Sequence, residues 1–247
     1  MAGLTKLLRL LIRTVLGFLV LGILAVVSLL GWLIFYSGDL PNTAAIATYS
    51  PAGRTSIPTN ICGETTQIIA IPCATVPKIR KALLAAEGEL DSRSAPRRYY
   101  AVLFGSRDRR YGIYSLQLAR QLYCDRPSRM LKRELDESRT AIQLERRFTS
   151  QQLLDIYINR AYFGSGLYGA ENASLHDFGK HAEELTISEA ALLAGIVAAP
   201  SRYSVTQHPD RATERRNQVI DEMVRQGSIS AQEAQEAKLA PLGIVGD

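Results

Sequence analysis

Residues 149–180, "TSQQLLDIYINRAYFGSGLYGAENASLHDFGK", hold the reading on which the fold turns. Within them "GSGLYG", residues 164–169, fits Gly-x-Gly-x-x-Gly. That loop cradles a dinucleotide pyrophosphate when a strand leads into it and a helix opens at its last glycine. Here the lead-in is helical instead. Thr149 followed by Gln152 makes a capping box, and "QQLLDIYINRAYF" carries the apolar spacing of a helix. No strand–helix–strand pattern surrounds the loop, which argues against nucleotide binding. The glycines read as a tight structural turn with aromatic side chains packed beneath it.

Working outward, the helix signals repeat. Thr186 with Glu189 and Ser230 with Glu233 make two more capping boxes. Pro209 and Gly227 bracket "DRATERRNQVIDEMVRQ" as start and stop. In "SRMLKRELDESRTAIQLERRF" the spacing places Leu131, Leu135 and Ile142 on one face. Residues 39–77 carry five prolines (Pro41, Pro51, Pro58, Pro72, Pro77) and read as an extended linker, with only "TTQIIAIP" strand-like. The predicted fold class is mainly α, with any sheet confined to the linker side.

From Thr14 to Gly38 the chain has no charged residue over 25 positions, against about 20 needed to cross a bilayer core. A cleaved signal peptide has a shorter apolar stretch, of about 7–15 residues, so 14–38 reads as a retained transmembrane anchor. Lys6, Arg9 and Arg13 precede it and Asp39 follows, which keeps residues 1–13 in the cytoplasm and exports the rest. Trp32 and Tyr36 suit the outer interface. Cys62 and Cys73 are either a disulfide or two free thiols, and Cys124 is left over. With 47% hydrophobic and 21% charged residues the chain is globular rather than disordered. The net charge of +5 suits anionic headgroups or a phosphate-bearing substrate; nucleic acid is not expected outside the cytoplasm.

The stretch at 153–180 and "LTISEAALLAGIVAAPSRYS" after it resemble the peptidoglycan glycosyltransferases of glycosyltransferase family 51. That family's fourth motif matches at Tyr157, Asn159, Tyr162–Gly164, Gly166, Tyr168, Gly169 and Phe178–Lys180. Its fifth matches at Leu185, Thr186, Glu189–Ala191, Leu193, Pro200 and Tyr203. The resemblance runs over about residues 78–243 and implies a lysozyme-like helical glycosyltransferase domain behind a single N-terminal transmembrane helix. No Ser-x-x-Lys motif of a transpeptidase is present, which points to the monofunctional type.

What the resemblance implies chemically is transfer of a lipid-pyrophosphate-linked glycan to the 4-hydroxyl of lipid II with inversion. Such a reaction needs a carboxylate to take the hydroxyl proton and cations to hold the departing pyrophosphate. Glu87 falls where the first motif has its general base. With Pro77–Ala86 read as a helix and Gly88 as its C-cap, the dipole's negative end would raise that carboxyl's pKa. Glu137 and Arg133 match the third motif, Glu137 on the pyrophosphate side. Their four-residue spacing also fits simple helix-surface pairing. Arg120 stands in place of the second motif's Lys, beside a matching Gln117; Lys132 and Asn159 complete the expected substrate contacts. Glu145 reads as structural. No cofactor is required, although a divalent cation (Mg or Mn) is compatible with Glu137, and His176, His181 and His208 show no metal-ligand spacing. The implied surroundings are the bacterial inner membrane, lipid II and the growing strand, and penicillin-binding or cell-division proteins.

The first three motifs are eroded. Gly88 stands where the first motif has Asp, and Asp91 where it has Phe. Gly112 and Ile113 replace a Ser-Thr pair, and Glu134 reverses the charge of the third motif's Lys. Two functions therefore stand side by side: a divergent glycan polymerase, and a catalytically degenerate relative that binds lipid-linked precursor or a cell-wall synthesis partner. A lysozyme-like hydrolase with Glu87 as acid is a third.

Overall fold

Helix α1, Ala2–Tyr36, contains a candidate membrane span, Ile12–Trp32, in which Arg13 is the one charged residue; its mean hydropathy is 2.6 and none of it is buried in protein. Its 21 residues rise about 32 Å, which is long enough to cross a bilayer core. The computed structural model describes residues 2–36, 43, 46, 55–61, 64–93, 112–123 and 130–245. They divide into two units, Met1–Leu40 with Ser128–Asp136, and Pro41–Pro127 with Glu137–Asp247.

The second unit is built around α7, Ile187–Ile196, in which every residue from Ser188 to Ile196 is buried. Its sequence, "ISEAALLAGI", is apolar on nearly all sides, so it is stable only when neighbours cover all of it. Those neighbours are α2 (Pro77–Arg93), α8 (Pro209–Arg225), α9 (Ala231–Leu239) and α6 (Ala170–Phe178). A further layer consists of α5 (Ser150–Arg160) with α3 (Gly112–Tyr123) against it, and α4 (Met130–Arg147) is shared between the two units. The expected capping boxes form at Thr149, Thr186 and Ser230, each with its reciprocal side-chain bond. Pro209 opens α8, and Gly227 follows it with φ +66°. The architecture is mainly α, as expected.

Three expectations need correcting. The segment 39–77, read as a linker, belongs to the second unit from Pro41 onward. Strands β1 (Thr55–Ile61) and β2 (Glu64–Ala70) pair antiparallel, with Thr55 opposite Ala70 and Ile61 opposite Glu64. Pro58 hid β1, since proline suits only an edge strand, which β1 is. Ile68, Ala70 and Ile71 enter the core, as does Ile46.

Among the described residues, no strand lies beside the far edge of β2. Two asparagines take that place. Asn172 accepts from the Ile69 N–H (3.3 Å) and donates to the Gln67 carbonyl (2.8 Å). Asn159 accepts from the Ile71 N–H (2.8 Å) and donates to the Ile71 carbonyl (2.7 Å). Four outward backbone groups, at Gln67, Ile69 and Ile71, are thereby satisfied by side chains.

The second correction is at Gly88. Helix α2 runs on to Arg93, so Glu87 lies inside it and the argument for a raised pKa at a helix end falls away. An interior glycine costs a helix about 1 kcal/mol, too little to end it when no proline follows. Third, the glycine turn forms a small sheet of its own, β3 (Tyr162–Gly164) with β4 (Leu167–Tyr168), away from the linker side. Among the described positions of α4, Asp136, Glu137, Thr140, Ala141 and Leu144 are buried and Ile142 is half-buried; the side chains of Leu131 and Leu135 lie outside the described residues.

Candidate active site

Helices α3 and α4 are joined by two side-chain links on one another's buried faces. Near the start of α3, Ser115 donates to Glu145 Oε1 at 2.7 Å. Five residues on, Arg120 Nε donates to Glu137 Oε2 at 3.2 Å. Between these links, Leu118, Ala119, Ala141 and Leu144 are fully buried, and the Tyr114 ring meets Tyr157 of α5 with centroids 4.9 Å apart.

The two members of the lower pair differ in exposure. The Glu137 side chain is 7% exposed, and that of Arg120 is 47% exposed. A carboxylate so nearly buried requires a charged or hydrogen-bonding partner. Its guanidinium partner is engaged through Nε and turns its other end toward solvent. The result is a cation held in place at the surface, a suitable anchor for a phosphate group.

The remaining predicted site residues are dispersed. Gln117 is half-buried on α3. Arg133 is exposed on the first turns of α4, in the unit that holds α1. The side chains of Glu87 and Lys132 lie outside the described residues, as does the Cys62–Cys73 pairing. Asn159 is corrected: it is 0% exposed and its amide is occupied by the Ile71 backbone and the Asp155 carbonyl (2.9 Å), so it holds the fold and does not reach substrate. Among the described residues, no group of three or more His, Cys, Asp or Glu is placed to hold a metal ion.

Sequence reasoning missed Arg215. It is 6% exposed, yet its Nη2 donates to the carbonyl of Ala86, the residue before Glu87, at 3.2 Å. Its aliphatic stem crosses α7 where Gly195 leaves room: a Cβ there would lie 2.9 Å from Arg215 Cγ. The Tyr203 ring lies 5.9 Å from the guanidinium carbon. The only signal was the doublet "RR" at 215–216 on a helix otherwise polar enough to be exposed.

Residues 114–224 match the family model described as Transglycosylase. Over those residues the chain is similar to a transglycosylase domain. Similar proteins are penicillin-binding protein 1A of Aquifex aeolicus, 42% identical over 52% of this chain and 18% of that protein, and penicillin-binding protein 1F of Bacillus subtilis, 38% identical over 68% and 25%. Penicillin-binding protein 1A of Streptococcus oralis is 41% identical over 45% and 18%. The chain thus spans a quarter or less of the length of these relatives. The resemblance to glycosyltransferase family 51 stands on these matches. Within the matched residues lie Arg120, Glu137 and the glycine turn, whereas Glu87 and the β1–β2 hairpin precede them.

Proposed function

We propose that this protein polymerises peptidoglycan glycan at a membrane surface. A lipid-pyrophosphate-linked glycan is the donor and the 4-hydroxyl of lipid II the acceptor. The acceptor oxygen bonds to the donor's anomeric carbon as the bond from that carbon to the phosphate oxygen breaks, with inversion. Glu87 takes the hydroxyl proton. The departing pyrophosphate gains charge, which Arg120, Arg133 and Lys132 offset, with Gln117 beside them. Glu137 holds Arg120 in its binding posture. No divalent cation is required, because the arginines supply the positive charge. Helix α1 anchors the protein in the cytoplasmic membrane with its N-terminus inside and the domain outside, near penicillin-binding and cell-division proteins.

The observation that carries this reading is the Arg120–Glu137 pair, an exposed cation fixed by a buried carboxylate within the transglycosylase match. The degenerate, binding-only reading is favoured by Gly88 and the exposed Glu134, which stand where the resemblance expects Asp and Lys.

Full-length protein in detergent with labelled lipid II distinguishes the two. Glycan chains made by the wild type with EDTA present, and by neither Glu87→Gln nor Glu137→Gln, are the expected result. No chains from the wild type, with lipid II still bound, would leave the binding-only reading in their place.

A further inference from the structure

Away from the Arg120–Glu137 pair the second unit carries a cleft of about 270 Å³ between the β3–β4 hairpin, the end of α6 and the loop that follows α7. None of its lining residues is one of the predicted site residues. We propose that this cleft binds an uncharged saccharide unit of a glycan strand.

The chemistry of the lining selects the ligand class. Phe163, Leu167, Ile196 and Pro200 make an apolar surface, and Ser165, Ser201, Thr206 and Gln207 supply hydroxyls and an amide. No Lys or Arg is among the described residues that line it. A phosphate or pyrophosphate would find no Lys or Arg there, and His176 is already engaged by Asp177, so the lipid-linked end of a substrate does not fit. A purely apolar ligand would leave the hydroxyls without partners.

A pyranose ring presents both surfaces at once, an apolar C–H face and a rim of hydroxyls. The cleft has a fixed ring to receive the former. Tyr162 is 38% exposed, is braced against Tyr168 with centroids 5.0 Å apart, and its hydroxyl accepts from the Gly166 N–H at 3.4 Å. An aromatic side chain held this way loses little freedom on binding.

The cleft wall has two further features. His176 Nδ1 and Asp177 Oδ1 are 2.8 Å apart, which sets a donor and acceptor pair side by side. Burial pushes the Asp177 carboxyl up, and the hydrogen bond and charge of His176 counter this without cancelling it. A second anion would therefore be unwelcome, and neutral hydroxyls suit the pair. Ser165 sits at φ +50°, a left-handed conformation that a non-glycine residue adopts only when its surroundings impose it. It holds a hydroxyl on the cleft's edge.

The choice of sugar rests on the polymerase reading, under which the strand being made is rich in N-acetylated hexosamine. The probe is therefore the neutral N-acetylglucosamine trisaccharide, titrated into full-length protein in detergent and followed by saturation-transfer NMR and calorimetry. Ser201→Arg fills the cleft from an exposed position, and Tyr162→Ala removes the ring. Glu137→Gln serves as the control at the other site. Affinity weakened about tenfold in either cleft variant, with Glu137→Gln within about twofold of the wild type, is the expected result. The proposal is overturned if the wild type does not bind the trisaccharide, if neither cleft variant weakens it, or if Glu137→Gln abolishes it. Failure of lipid II polymerisation alone would leave this result standing, so the two readings fail separately.

Discussion

Replacing Asn159 with alanine should destabilise the second unit by roughly 3–5 kcal/mol. The side chain makes two hydrogen bonds to Ile71 and one to the Asp155 carbonyl. That last carbonyl sits within α5, where the helix's own ladder also serves it, so its loss adds at most about 1 kcal/mol. The Ile71 groups are in a different position. Ile71 is 2% exposed, so its N–H and C=O have no water to turn to. Each orphaned buried group costs about 1–3 kcal/mol, which gives about 2–6 for the two. A domain of this kind has only about 5–15 kcal/mol in total, so the variant should fold with a visibly lowered melting temperature. Thermal unfolding in detergent, followed by tyrosine near-ultraviolet circular dichroism, reads the loss. Hydrogen exchange of the peptide spanning residues 66–74 localises it, and the Ile71 amide should exchange fastest relative to wild type. A change below about 1 kcal/mol with that peptide still protected would show that β1 alone holds β2, and the clamp argument would be wrong.

Three further outcomes are expected. Gly169→Ala should cost roughly 2–5 kcal/mol in the same unfolding assay, because φ is +83° and the new Cβ would lie 2.8 Å from the Asn159 backbone carbonyl oxygen; a cost below about 1 kcal/mol would contradict this. Arg120→Met should slow lipid II turnover about 10²–10³-fold; unchanged turnover would remove it from the phosphate site. Lys180→Met tests a pH dependence. Burial raises the Glu189 carboxyl, but the Lys180 hydrogen bond (2.7 Å), the Thr186 donors and the Lys180 charge outweigh it, leaving the pKa below its ordinary 4.5. A folded value below the unfolded one contributes stability above pH 4.5 that is lost as pH falls through the folded value. The variant should be less stable than wild type at neutral pH and converge with it in acid; a gap that stays constant down to about pH 3 would contradict this.

How far the candidate site could be read from the chain depends on how local each feature is. Arg120 and Glu137 were named from their motif positions, and their pairing bridges only 17 residues and two adjacent helices. Ser115, which stands in an eroded part of the second motif, gave no sign that it would hold Glu145. Arg215 gave less, because its target, the Ala86 carbonyl, is 129 residues away and a backbone acceptor leaves no mark on the sequence.

By itself the sequence determined the helix starts at Thr149, Thr186 and Ser230, the apolar span of α1 and the structural character of the glycine turn. In each case the energy is decided within a few residues: a capping side chain reaches only to its third neighbour, and an apolar run needs no partner to be recognised. Only the tertiary structure decided that residues 55–71 join the domain, that α2 continues through Gly88, and that Asn159 is a clamp and not a substrate contact. The first and last of those outcomes turn on contacts 88 and 103 residues apart in the chain, where an asparagine on a helix completes the edge of a strand. Such an amide is chemically identical to one that would bind a sugar. Burial against Ile71 is what assigns its role, and burial is a property of the assembled fold.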